Sequence, residues 1–192
     1  MKLTRFKFIA LLAAAVLGAA ALPAQEQKKK KARPSPPATV MADIDGNEVK
    51  IAYSRPSATP PAGGEPRKIW GGLVPYGKVW RTGANEATLL TTAKPITIGG
   101  FALAAGTYSL FTVPQADGSA KLVINKKTGQ WGIPYNEESE KANELARLDL
   151  KKGKTEANVD PFTMAVTKTG PGAGMISMAW EAVQYSIAFK NQ

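Results

Sequence analysis

Through most of the chain, apolar and polar residues alternate with a period of two, the side-chain repeat of a β-strand. Thr39 to Ile44 and Val49 to Tyr53 flank Asp45-Gly46, a dipeptide suited to the positive φ angles of a tight hairpin turn. Ile96 to Ile98 meets Gly99-Gly100 and continues as Phe101 to Leu103, a second hairpin by the same logic. Gly106 to Val113 is apolar on both faces, with Phe111 and Val113 on one and Tyr108 and Leu110 on the other. Such a strand belongs in the middle of a sheet, covered on both sides. Lys121 to Lys126 is expected to pair with it through a turn at Ala116 to Ser119.

The alternation returns at Ala146, Leu148 and Leu150, and at Phe162, Met164 and Val166. Two further runs follow, Ile176, Met178 and Trp180, then Val183, Tyr185, Ile187 and Phe189. Turn residues separate the runs, most clearly the GPGAG stretch from Gly170 to Gly174. Only Asn136 to Glu144 reads as helical. About nine or ten short strands predict an all-β fold, an antiparallel β-sandwich of jelly-roll or Greek-key type with at most one short helix.

The ends of the chain break this pattern. Lys2, Arg5 and Lys7 precede an apolar run from Phe8 to Leu22, followed by small residues up to Ala24. That run holds 15 residues, short of the roughly 20 that a spanning helix needs. Residues 1–24 therefore read as a signal peptide, cleaved near Ala24, and the mature chain as exported, periplasmic or secreted, with no transmembrane segment. Residues 25–37 are Lys-rich and then Pro-rich, which predicts a disordered linker whose deletion leaves the melting temperature almost unchanged. Residues 38–190 remain as a single sandwich domain. Within it, Ser57 to Pro66 holds three Pro and two Gly and is expected to be a long loop.

Composition narrows the chemistry. The 192 residues include no Cys and no His. A Ser-His-Asp triad, a thiol nucleophile, a disulfide and a conventional zinc, copper or haem site are all excluded. The formal charge of +10 is concentrated at the N-terminus. From residue 34 onward, 17 basic and 14 acidic residues leave +3, so a nucleic-acid surface is not indicated. Lys28, Lys29, Lys30 and Lys31 form a local basic run, a solvated tail or a weak contact for an anionic surface. Asp43 and Asp45 resemble a calcium loop only superficially, because the glycine falls too early and no distal Glu follows. No cofactor and no metal ligand set is expected.

One stretch stands apart. WGGLVPYGKVWRTGANEAT, Trp70 to Thr88, gathers Trp70, Tyr76, Lys78, Trp80, Arg81, Asn85 and Glu86 around four glycines. Aromatic faces beside Arg, Asn and Glu are what a small-molecule pocket requires. The same residues also suit a structural cluster, with Arg81 paired to Glu86 across the Gly83 turn, Asn85 tying the backbone and both Trp in the core. Trp131 is a further aromatic on a loop. Candidate binding residues are thus Trp70, Lys78, Trp80, Arg81, Asn85, Glu86 and Trp131.

Together with YSRP (Tyr53 to Pro56), AAGTYSLFTVP (Ala104 to Pro114), and LVINK before Trp131-Gly132, this stretch resembles the bacterial family catalogued as domain of unknown function 2911. The resemblance runs from about Pro36 to Phe189. It implies an exported β-rich domain and supplies no catalytic residue. The Ser57 to Pro66 stretch departs from it by being longer and richer in Pro and Gly. Two functions fit the chain. One is a non-catalytic ligand-binding or structural module of the cell envelope, engaging a glycan, a small molecule or an envelope protein. The other is a carboxylate-dependent hydrolase or lyase that uses Glu86 with Arg81, for which a second carboxylate, Asp43, Asp45 or Asp160, has to approach within roughly 5 to 10 Å.

Overall fold

Turn chemistry orders the strands. In the computed structural model, which describes residues 33–192, Asp45 and Gly46 take φ of 50° and 80° and join β1 (Pro37–Asp43) to β2 (Glu48–Ser54). Gly99-Gly100 joins β4 (Ile96–Ile98) to β5 (Phe101–Leu103) in the same way. With β3 (Thr88–Thr92), β6 (Gly106–Pro114), β7 (Ala120–Asn125) and β8 (Glu144–Asp149), the first hairpin builds a six-stranded antiparallel sheet ordered β1-β2-β3-β6-β7-β8. The second sheet has four strands, β5-β4-β10-β9, and is dominated by the hairpin of β9 (Lys151–Gly170) and β10 (Ala173–Asn191). The fold is an antiparallel, sandwich-like all-β domain. The one helix among the described residues, α1 (Glu137–Lys141), is capped by Asn136, whose side chain accepts from the backbone N–H groups of Glu138 and Ser139. No helix among the described residues is long and apolar enough to cross a membrane.

Inward-facing residues of both sheets form one core. β2 contributes Val49, Ile51 and Tyr53, β6 and β7 contribute Leu110, Leu122 and Ile124, and the long hairpin contributes Phe162, Met164, Ile176, Met178 and Trp180. As the sequence predicts, β6 is central and covered on its other face too. There Phe111 and Val113 pack with Ala87 and Val123 beneath Val79 and Tyr135. Phe111 meets Tyr135 edge-on at 4.8 Å, and burial pushes the Tyr135 phenol up to about 12.

Two expectations change. The last three apolar runs are not separate short strands, because they belong to one hairpin of 20 and 19 residues. The turn residues between Trp180 and Val183 mark a bulge. Glu181 takes φ of 53°, and the pairing with β9 shifts on either side of it. Ile176, Met178 and Trp180 point inward at even positions, and Tyr185, Ile187 and Phe189 at odd ones, so the strand must slip by a residue between them. The second change concerns the linker. Residues 1–32 lie outside the described residues, and with them the predicted signal peptide and the Lys28 to Lys31 run. Residues 33–37 are tied down. Pro37 opens β1, the Pro36 carbonyl accepts from the Arg55 N–H at 2.9 Å, and Arg33 pairs with Glu86. The last five residues of the expected linker are thus ordered against the domain, and its residues 25–32 lie outside the described residues.

The long loop after β2 is fastened to the small sheet by one carboxylate. Asp160 accepts from Ser57 Oγ at 2.6 Å, from the Ala58 N–H at 2.8 Å and from the Trp180 indole at 2.9 Å. Burial works to raise its pKa, but these hydrogen bonds outweigh that and hold it below the usual aspartate range. A depressed folded-state pKa means stabilisation that is present above about 3.8 and lost as the pH falls through the folded-state value. In urea unfolding, the stability gap between wild type and Asp160→Asn should narrow as pH falls through that region; a pH-independent gap would contradict this account. Trp180 is completely buried. Trp180→Ala should cost about 3 to 5 kcal/mol, and a loss below about 1 kcal/mol in the same experiment would mean that the indole is not a core element.

Candidate functional site

β3 ends its pairing with β6 at Thr88, opposite Leu110, so the edge of β6 beyond that point is open. The Trp70 to Thr88 segment fills it. Trp80 exchanges both backbone hydrogen bonds with Thr112 at 2.8 Å, and the Gly77 N–H donates to the Pro114 carbonyl. The segment enters through a turn in which Val74 donates to Ile69 and Leu73 to Lys68. Gly72 is required there, because a Cβ would stand 2.4 Å from the Lys68 carbonyl oxygen.

After Trp80 the backbone doubles back under strain. Thr82 and Asn85 take φ of 52° and 62°, and a β-branched residue is seldom found there. The conformation is held from several sides. Thr82 Oγ1 lies 2.7 Å from Thr112 Oγ1, and Thr88 Oγ1 donates to the Thr82 carbonyl at 2.7 Å. Asn85 does tie the backbone as expected, donating to the Ser35 carbonyl and to Ser54 Oγ.

This doubling back opens a cavity of about 170 Å³ lined by Trp80, Arg81, Arg67, Trp180, Leu73 and Ser35, among others. Trp80 forms its floor from inside the core. Its exposure is 6%, and its ring stacks on Trp180 at 6.1 Å and meets Phe162 at 5.1 Å. Arg67 is engaged, donating to the carbonyls of Ala58 and Ser57. Arg81 is not. Its Nε is buried with no hydrogen-bond partner, and no carboxylate pairs with it among the described residues. Burial lowers its pKa from the usual guanidinium range. A buried donor without an acceptor on a partly desolvated cation is unfavourable, and a bound anion would supply the acceptor.

The expected Arg81–Glu86 pair does not form. Glu86 is held instead by Arg33, whose guanidinium reaches both carboxylate oxygens at 2.7 and 2.8 Å, and this lowers the Glu86 pKa. The reason is packing. The strands at Asn85 to Ala87 and Gln130 to Gly132 pair through their backbones, with Gly132 lying against the Arg81 stem, where a Cβ would come within 2.5 Å. Arg81 is thereby directed away from Glu86.

The other candidates divide. Lys78 lines a separate groove with Ile133, Pro134 and Tyr135. Trp131 is 56% exposed, its backbone paired with Glu86. Trp70 lines a third cavity on the far side of Trp80, which it meets edge-on at 6.3 Å. Asp43 and Asp45 serve the turns, Asp43 accepting from Gly46 and Asp45 from Lys168 and the Gly172 N–H. Arg67 and Ser35 carried no signal in the sequence, since they lie in aperiodic stretches.

Residues 35–189 match the family described as protein of unknown function (DUF2911). The chain belongs to that family. No curated protein and no solved structure matches the chain. The DUF2911 match begins at Ser35, so the segment that walls the cavity and receives Asn85 is part of the family domain.

These contacts separate the two accounts of Arg81. If it is an unpaired cation, Arg81→Met, which keeps the stem, should leave unfolding free energy unchanged or raised, and Arg81 and Glu86 should show no coupling in a double-mutant cycle. Loss of about 3 to 5 kcal/mol in Arg81→Met would mean a buried partner exists. The exposed Arg33–Glu86 pair should yield a coupling of about 0 to 1 kcal/mol in its own cycle.

Proposed function

We propose that this DUF2911 domain is an exported, non-catalytic binding module of the cell envelope, and that its ligand presents an anionic group to Arg81. The observation that carries this reading is the buried, unpartnered Arg81 Nε in a cavity floored by indole rings. A guanidinium offers paired donors that match a carboxylate or phosphate, and the Trp80, Trp180 and Leu73 walls favour an apolar body beside the charge. The cavity volume suits a small group or the end of a larger molecule. Export rests on the leader-like residues 1–24, and the Lys28 to Lys31 run that follows favours proximity to anionic envelope surfaces.

A carboxylate-based hydrolysis through Glu86 has less support. Its carboxyl is bound by Arg33 and shifted toward permanent ionisation, the wrong direction for a general acid.

The test is a thermal-shift titration of the mature protein with acetate, benzoate, phenyl phosphate and inorganic phosphate. Benzoate or phenyl phosphate should raise the melting temperature, with saturation at about 100 times Kd worth about 2.7 kcal/mol, and Arg81→Met should abolish the response. An equal response in Arg81→Met, or none from any anion in wild type, would sink the proposal.

A further inference from the structure

The third cavity, about 220 Å³, lies where the Trp70 turn, the β6–β7 turn and the small sheet converge. Its walls are aromatic at one end and polar at the other. Trp70 and Tyr185 meet edge-on at 5.6 Å and 73°, and Tyr76, 40% exposed, stands beside them over Gly71, where a Cβ would come within 2.6 Å of its ring. Asp117 and Lys152 line it as well. The Tyr185 hydroxyl is occupied, donating to the Gly118 carbonyl at 3.1 Å, and one Asp117 oxygen accepts from Ser119. The Trp70 indole N–H, in contrast, is buried with no acceptor. In a folded protein a buried donor nearly always has a partner, so this one stands out.

We propose that this cavity is a second binding site, independent of Arg81, and that it takes a single neutral pyranose ring. Each feature selects for that chemistry. The unpartnered indole N–H needs an acceptor, Lys152 supplies a donor and Asp117 an acceptor. Sugar hydroxyls satisfy both kinds of group at once. The opposite charges of Lys152 and Asp117 offset each other, so neither an anion nor a cation is favoured. Aromatic walls match the apolar C–H face of a sugar ring and leave its hydroxyl rim for the polar side. An apolar cavity of about 150 Å³ accommodates benzene, so the volume here suits one six-membered ring with its substituents.

The experiment uses the mature chain with methyl β-glucopyranoside, methyl β-galactopyranoside, methyl α-mannopyranoside and methyl N-acetyl-β-glucosaminide, read by saturation-transfer NMR and tryptophan fluorescence. At least one glycoside should bind, with saturation strongest on ring C–H protons. Tyr76→Ala removes an exposed wall and should weaken binding about tenfold, and Trp70→Phe, which deletes the N–H and retains an aromatic ring, should weaken it comparably. Arg81→Met should leave it unchanged, which keeps this site distinct from the anion site. The proposal is overturned if no glycoside binds, or if binding survives Tyr76→Ala and Lys152→Ala combined in a variant whose melting curve shows it folded. It is equally overturned if Arg81→Met abolishes glycoside binding.

Discussion

Trp80 is the residue on which the packing of the two sheets and the floor of the Arg81 cavity depend. Its backbone is bonded to Thr112 as if it belonged to the six-stranded sheet, while its ring lies between Trp180 and Phe162 of the four-stranded one. A single residue thus sets the spacing between the layers. Large aromatic side chains suit this role because each buries much surface with few rotatable bonds, and edge-to-face or offset contacts fix relative orientation. Asp160 extends the arrangement outward, holding the Trp180 indole and the loop at Ser57 and Ala58 with one carboxylate. The rigidity of the cavity floor follows from this packing.

Above that floor the chain is strained where it turns. Thr82 occupies a left-handed backbone conformation that its β-branched side chain disfavours, Asn85 occupies another, and hydrogen bonds with Thr88, Thr112, Ser35 and Ser54 hold them there. Backbone strain maintained by surrounding contacts is characteristic of sites whose geometry matters more than their stability. Arg81, half-buried with its Nε lacking an acceptor, is a second unfavourable feature in the same few residues.

Much of the architecture was legible in the alternation. The hairpins at Asp45-Gly46 and Gly99-Gly100, the doubly covered β6 and the inward Trp180 all follow from local spacing and turn chemistry. The parity switch between Trp180 and Tyr185 was also visible, and it signals a bulge rather than a break. The leading half of β9, with Lys151, Lys152 and Lys154, had no such signal, because an edge strand rich in charge lacks the apolar alternation that marks a covered one. At the site, the residue types were readable and their pairing was not. Arg81 and Glu86 are close enough in sequence to suggest a bond, but the choice was made by Arg33 and by the Gly132 backbone, both distant along the chain. Electrostatic partnership is a tertiary property, and short spacing alone does not decide it.

The strand order also constrains how this chain can acquire its structure. β4 and β5 lie at the middle of the sequence, yet their neighbour in the sheet is the far end of β10, where Phe189 lies opposite Ile98. Until that strand arrives, the small sheet has no body, and Trp80 has no aromatic partners from the hairpin to cover it. A nascent chain emerging in order from its N-terminus therefore holds most of a six-stranded sheet with its inner face uncovered. Closure waits for the last pairing and is correspondingly cooperative, since non-local strands contribute only after the long connecting loop has been ordered.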